Sequence, residues 1–217
     1  MALVIFDLDG TLIDSKKDLV NSVNATRAGI GMPPLPDGIV SSYIGHGAPV
    51  LIQRALGPDA TESEVKNALE FFLAHYRAHC VDTTVLYPGV ADALAQLHEA
   101  RVALAVLTNK PVRISRLIMN QLGVGNLMFQ IYGGNSFEFK KPHPIGIEAL
   151  RAESPADTAV TWMVGDTPVD VQTARNAGVS ACGVAWGFQP ESFAVTPPDL
   201  VISQMEELVD LICRGPR

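Results

Sequence analysis

The chain has 217 residues, 47% of them hydrophobic and 18% charged, which suits one globular core, alone or with a small accessory unit, and excludes a disordered chain. The formal net charge is −7. With no surplus of Lys and Arg to replace counterions, nucleic acid and anionic membranes are poor candidates for the main partner. Three widely spaced cysteines (Cys80, Cys182, Cys213) form no CxxC, and no apolar run reaches signal-peptide or membrane-spanning length, so the expectation is a reduced, cytoplasmic protein.

In chain order, the apolar run Ala2–Phe6 reads as a strand buried on both faces. From about residue 15 to 84 no strand is evident. Amphipathic helices punctuated by Gly29, Gly31, Pro33–Pro36 and Gly57-Pro58 are expected there, and Leu86–Val90 reads as the return to the first unit. Helices at Val90–Ala100, Val112–Leu122, Pro144–Glu153, Val169–Ala177 and Met205–Ile212 then alternate with strands. The strands are Val102–Leu107, Ala159–Val164 and Val179–Ala185, with weaker ones at Phe129–Tyr132 and Leu200–Ile202. Such alternation predicts an α/β fold: a doubly wound, mainly parallel sheet with a helical cap inserted after the first strand. The expected division is 1–14 with 85–217 for the core and 15–84 for the cap.

Polar groups follow the strands. Asp7-Leu8-Asp9-Gly10-Thr11 follows the first, Thr108-Asn109-Lys110 the next, Lys140-Lys141-Pro142 lies in a later loop, and Gly165-Asp166 through Asp170 follows the strand at 161–164. Ligands of open α/β sheets bind beyond the strands' carboxyl ends, so these groups should converge on one rim. Their types suit phosphoryl transfer. Carboxylates with main-chain carbonyls and waters make a hard oxygen site for Mg²⁺. A carboxylate can also act as nucleophile, while a Lys and a hydroxyl hold phosphate oxygens.

The four clusters, in this order, resemble the motifs of the haloacid dehalogenase-like hydrolases over nearly the whole chain, and the helical insertion resembles their C1-type cap. The resemblance implies a phosphatase working through an aspartyl-phosphate. Asp7 would be the nucleophile and a Mg²⁺ ligand. Asp9 would be the acid and base, with its carbonyl on the metal. Thr108 and the backbone following it would hold phosphate oxygens. Lys141, preferred over Lys140 because it directly precedes Pro142, would neutralise charge, and Asp166 and Asp170 would complete the metal site, Asp170 through water or from behind.

Tyr43-Ile44-Gly45-His46-Gly47 with Arg54, and Thr108-Asn109-Lys110-Pro111, are similar to the corresponding segments of phosphoglycolate phosphatases. That similarity implies substrate contacts from Gly45, His46, Arg54 and Asn109. Thr11 favours a phosphatase over β-phosphoglucomutase relatives, which carry an aliphatic residue there. The expected partner is a small phosphorylated metabolite, 2-phosphoglycolate first, and the expected assembly a monomer or homodimer. A phosphomutase, a pyrophosphatase and, outside enzymes, a receiver-like switch or an idle binding protein are the alternatives. Read singly, each motif residue has a plainer role: Asp7, Asp9, Asp166 and Thr108 as turn or helix caps and Asp170 as a solvated helix residue. Arg54 alone would be a surface charge, and His75 and His79 are read as helix-face histidines in preference to zinc ligands.

Overall fold

Leu3, Val4, Ile5 and Phe6 are all fully buried, and they form the strand from which the fold is built outward. The computed structural model describes residues 2–156 and 158–214, so 1, 157 and 215–217 lie outside the description. After β1 (Leu3–Phe6) and the two-residue β2 (Ile13–Asp14) come four helices: α1 (Lys16–Gly29), α2 (Asp37–Ser41), α3 (Ala48–Leu56) and α4 (Glu62–His79). The chain returns through β3 (Val85–Leu86), antiparallel to β2. Helices and strands then alternate: α5 (Val90–Glu99), β4 (Ala103–Leu107), α6 (Val112–Gln121), β5 (Gln130–Tyr132), α7 (Ile145–Glu153), β6 (Thr161–Gly165), α8 (Pro168–Ala177) and β7 (Ser180–Val184). The last elements are β8 (Leu200–Ile202) and α9 (Met205–Arg214).

Six strands form one parallel sheet in the order β5-β4-β1-β6-β7-β8, which is the expected doubly wound α/β architecture. Side chains of a strand alternate between its faces. Val4 and Phe6 enter a core shared with Leu94 of α5, Ile118 of α6 and Leu208 of α9. Leu3 and Ile5 enter the opposite core with Leu150 of α7 and Val171 of α8. The first core continues into the inserted helices through Leu19, Val23, Leu51 and Phe72, so these helices and the sheet share one apolar body. Among the described residues, no helix is long and apolar enough to cross a membrane.

All six expected strands are present, with the strand anticipated from Ala159 beginning at Thr161. The β2–β3 ribbon was not anticipated, because two residues per strand are too few to display a periodicity. His75 stacks between Phe71 and His79 on α4, and its Nδ1 lies 3.1 Å from Ser22 Oγ, as expected for helix-face histidines.

Asp18, in the first turn of α1, ties the two crossings between sheet and helices together. Its buried carboxylate accepts hydrogen bonds from the amides and hydroxyls of both Thr83 and Thr84, at 2.6–3.1 Å. Burial pulls the Asp18 pKa upward, but these donors outweigh it and hold the acid below its ordinary range. Replacing Asp18 by Ala would leave those donors unpaired. The expected cost is about 2–4 kcal/mol by urea unfolding, with a smaller loss for Asp18→Asn, which keeps one acceptor.

Candidate active site

Sheet register decides which polar residues meet. Phe6 pairs with Val106 on one side and with Val164 on the other, so Asp7, Thr108 and Asp166 leave three adjacent strands at one rim. The chain builds outward from β1 through β4 to β5, then crosses over to build β6, β7 and β8 on the other side. A crevice opens where the order reverses, and Asp7 and Asp166 flank it.

Lys141 comes from the loop before α7. Its buried Nζ lies 2.6 Å from Asp170 Oδ1, as a hydrogen bond, and 2.8 Å from Asp7 Oδ1, as an ion pair outside hydrogen-bond geometry. The adjacent Lys140 turns away and donates to the main-chain oxygen of His46 at 2.9 Å. Asp170 is buried at the third position of α8, where its Oδ2 accepts from the Thr167 amide at 3.1 Å and hydroxyl at 2.7 Å. With both oxygens engaged, Asp170 braces Lys141 and the start of α8 together.

Asp166 accepts from the Phe188 amide at 2.8 Å, and the Thr11 hydroxyl approaches its other oxygen at 3.4 Å. Main chain closes around it. A Cβ on Gly10 would stand 2.2 Å from Asp166 Oδ2, and one on Gly187 would stand 2.1 Å from Asp166 Cβ. Both positions therefore require glycine, and Gly10 also has a φ of 82°.

Carboxylate oxygens of Asp7, Asp166 and Asp170 all lie within 4.8 Å of one another. Burial raises the Asp7 pKa to about 6; Lys141 opposes this and the Asp170 charge reinforces it. Burial, then Asp170 and Asp7, push Asp166 well above its usual range. Burial alone would lower Lys141, but Asp170 and Asp7 prevail and hold it at about 12. Three buried carboxylates against one ammonium leave an excess of negative charge in an all-oxygen donor set. Such a set fits a hard divalent cation.

Asp9 sits beside this cluster. Its Oδ1 accepts from Ser15 Oγ at 2.5 Å and from Lys110 Nζ at 2.7 Å, and the same Nζ donates to Tyr76 OH of α4 at 2.6 Å. Ser15 thus stands at the N-cap of α1 without capping it. Thr108 is buried, and its hydroxyl accepts from the Lys110 amide at 3.3 Å. Asn109 Nδ2 donates to Gly45 O at 3.0 Å and to Lys141 O at 3.1 Å. Together with Lys140 on His46 O and Gln189 Nε2 on Ile44 O at 3.4 Å, it fastens the α2–α3 loop onto the rim.

A cavity of about 50 Å³ remains between rim and helices. Asp7, Asp9, Thr108, Asn109 and Asp166 line it from the sheet, as Gly45 does from the loop. The side chains of His46 and Arg54 are exposed and lie outside the lining. Partial burial, then the charges of Arg54 and Lys140, lower the His46 pKa. Sequence reasoning put Lys110 at the rim with Thr108-Asn109 but gave it no role of its own. It also missed Ser15, Tyr76 and the Gly187-Phe188 amide, which carry no local motif, and gave no role to Thr167 within the Gly165–Asp170 cluster.

The sequence pattern of the family described as haloacid dehalogenase-like hydrolase matches residues 4–184. The chain belongs to this family. Among similar curated proteins are a phosphoglycolate phosphatase of Vibrio vulnificus, 34% identical over 97% of this chain and 95% of its own length, and one of Chromobacterium violaceum, 37% identical over 98% and 96%. A further relative with that name, from Pseudomonas fluorescens, is 38% identical over 95% of this chain and 78% of its own. The solved structure of a predicted phosphoglycolate phosphatase from Haemophilus somnus superposes with a TM-score of 0.88 at 30% identity, covering 100% of this chain and 98% of that one.

For this haloacid dehalogenase-like hydrolase, the raised Asp7 pKa predicts a stability difference with a defined sign. The folded protein holds the Asp7 proton more tightly than the unfolded chain, whose value is near 3.8. With metal chelated, the resulting penalty is absent below pH 4, grows up to about pH 6 and is complete above it. Its size is on the order of 3 kcal/mol. Asp7→Asn removes it. Thermal melts in EDTA should nearly coincide with wild type at the acid end, with the variant melting higher at neutral pH; a variant that melts lower throughout would contradict this account.

Proposed function

We propose that this hydrolase is a magnesium-dependent phosphatase of small phosphorylated metabolites, with 2-phosphoglycolate as its first candidate substrate. The observation that carries the reading is Asp7 at the switch point, buried and paired with Lys141, within reach of two further carboxylates. The phosphoglycolate phosphatase relatives support the substrate.

In this mechanism Asp7, as the anion, attacks phosphorus in line with the ester oxygen and becomes an aspartyl-phosphate. Lys141 offsets charge on Asp7 and on the incoming phosphoryl oxygens. Thr108 and the main-chain amide of Asn109 hold those oxygens at the neighbouring strand end. Asp9, oriented by Ser15 and Lys110, gives its proton to the leaving alcohol and later takes one from the water that splits the intermediate. Asp7 and Asp166, with the Asp9 carbonyl and with Asp170 through water, would hold Mg²⁺. The ion supplies positive charge where the phosphoryl group becomes most negative.

Helices α1–α4 act as a cap, residues 15–84, over the core formed by 1–14 and 85–217. Three hydrogen bonds from Asn109, Lys140 and Gln189 support a closed arrangement, and the apolar walls keep bulk water from the phosphorylated aspartate. The small cavity suits a metabolite and disfavours a phosphoprotein. The three free thiols, two of them buried, suit a reducing cytoplasm.

Phosphate release from a panel of phosphorylated acids, sugars, nucleotides and pyrophosphate tests this reading. Turnover should vanish in EDTA and return with Mg²⁺. Asp7→Asn should lose at least about a thousandfold in kcat, and Asp9→Asn about a hundredfold or more. Metal-independent turnover, or an Asp7→Asn enzyme that keeps most of its activity, would refute the mechanism.

A further inference from the structure

Apart from the Tyr76 hydroxyl, the wall that α1, α3 and α4 contribute to the cavity is apolar, including Leu19, Leu51 and Phe72. Among the described residues lining it, Lys110 alone is cationic. Lys110 is itself buried, at 6% exposure, and its Nζ is held by Asp9 Oδ1 at 2.7 Å and Tyr76 OH at 2.6 Å. An ammonium has three N–H donors, so one remains for a ligand. The other nearby basic groups do not compete for that role, because Arg54 of α3 and His46 lie outside the lining and Lys140 is bonded to a main-chain oxygen. Lys141, for its part, is engaged by two carboxylates.

We propose that Lys110 reads the carboxylate of the substrate, so that the site selects phosphate esters bearing an anionic group one carbon from the ester oxygen. This rests on the phosphatase reading, in which the ester oxygen sits at Asp9. Lys110 is the hydrogen-bonded neighbour of Asp9, so a carboxylate separated from the ester oxygen by one carbon meets the ammonium while the oxygen meets the acid. A longer spacer carries the carboxylate past Lys110 toward apolar side chains, which would leave the anion without a partner. Charge-assisted recognition of this kind discriminates strongly between an anion and a neutral isostere.

The test compares kcat/KM for 2-phosphoglycolate and for 2-hydroxyethyl phosphate, which keeps the skeleton and replaces the carboxylate by a neutral CH₂OH. Wild type should prefer the acid by at least about thirtyfold, and Lys110→Met should reduce that preference to within about threefold. Both substrates are measured on one preparation, so loss of folded enzyme cancels from the ratio. Equal falls on both substrates, with the preference retained, would mean that Lys110 serves only to position Asp9, and would overturn the proposal. Wild type that hydrolyses both esters without preference would also overturn it and leave the phosphatase reading intact. Wild type that hydrolyses neither, nor any ester of the panel, would remove that reading and the proposal with it. Should Lys110→Met yield no folded protein, product inhibition of wild type decides. Glycolate should inhibit at least about tenfold more strongly than ethylene glycol, and equal inhibition would overturn the proposal.

Discussion

Lys141 brings a single positive charge into a space shared with Asp7, Asp166 and Asp170, and the organisation of the rim follows from that imbalance. Burying an ion without a partner costs several kcal/mol, so carboxylates this close tend to part or to take up protons. Parallel pairing of β1 with β6 denies Asp7 and Asp166 the first escape, because their main chains are fixed in register. The surroundings add further restraint: the Phe188 amide and the nearby glycines hold Asp166, and Thr167 holds Asp170. The fold thus keeps acidic groups where they are least comfortable alone, in an all-oxygen set that fits a divalent cation.

A second chain of contacts joins the inserted helices to the chemistry. Tyr76 belongs to α4, Lys110 follows β4, and Asp9 follows β1, yet one Nζ bonds both the phenol and the carboxylate. Helix α4 cannot shift by much without disturbing the group that orients Asp9. Asp18 performs a mechanical counterpart at the crossings, where it binds the start of α1 to the chain that returns to β3.

The sheet was legible in the sequence because continuous apolar runs such as Leu3–Phe6 can be buried only between two helical layers, and because a polar cluster follows the end of each strand at the rim. Asp7, Asp166 and Lys141 could be brought together on paper for that reason. Lys110 was less legible: its place after Thr108-Asn109 sets it at the rim, but its role emerges only once Tyr76, 34 residues away in the chain, is seen bonded to it. The Phe188 amide could not be read at all, since a main-chain donor has no signature in residue type. Arg54 and His46 show the converse: sequence sets His46 between Gly45 and Gly47 and Arg54 on the helix that follows, but in the structure both side chains are exposed.

The three hydrogen bonds that fasten the α2–α3 loop all end on main-chain oxygens, those of Ile44, Gly45 and His46. A carbonyl is the same group whatever residue carries it. Closure is therefore largely separable from the identity of the side chains in that loop, and those side chains can be exchanged without unfastening it. A hydrolase built this way can be retuned toward new phosphate esters by changing the loop, while the carboxylates beneath keep their positions.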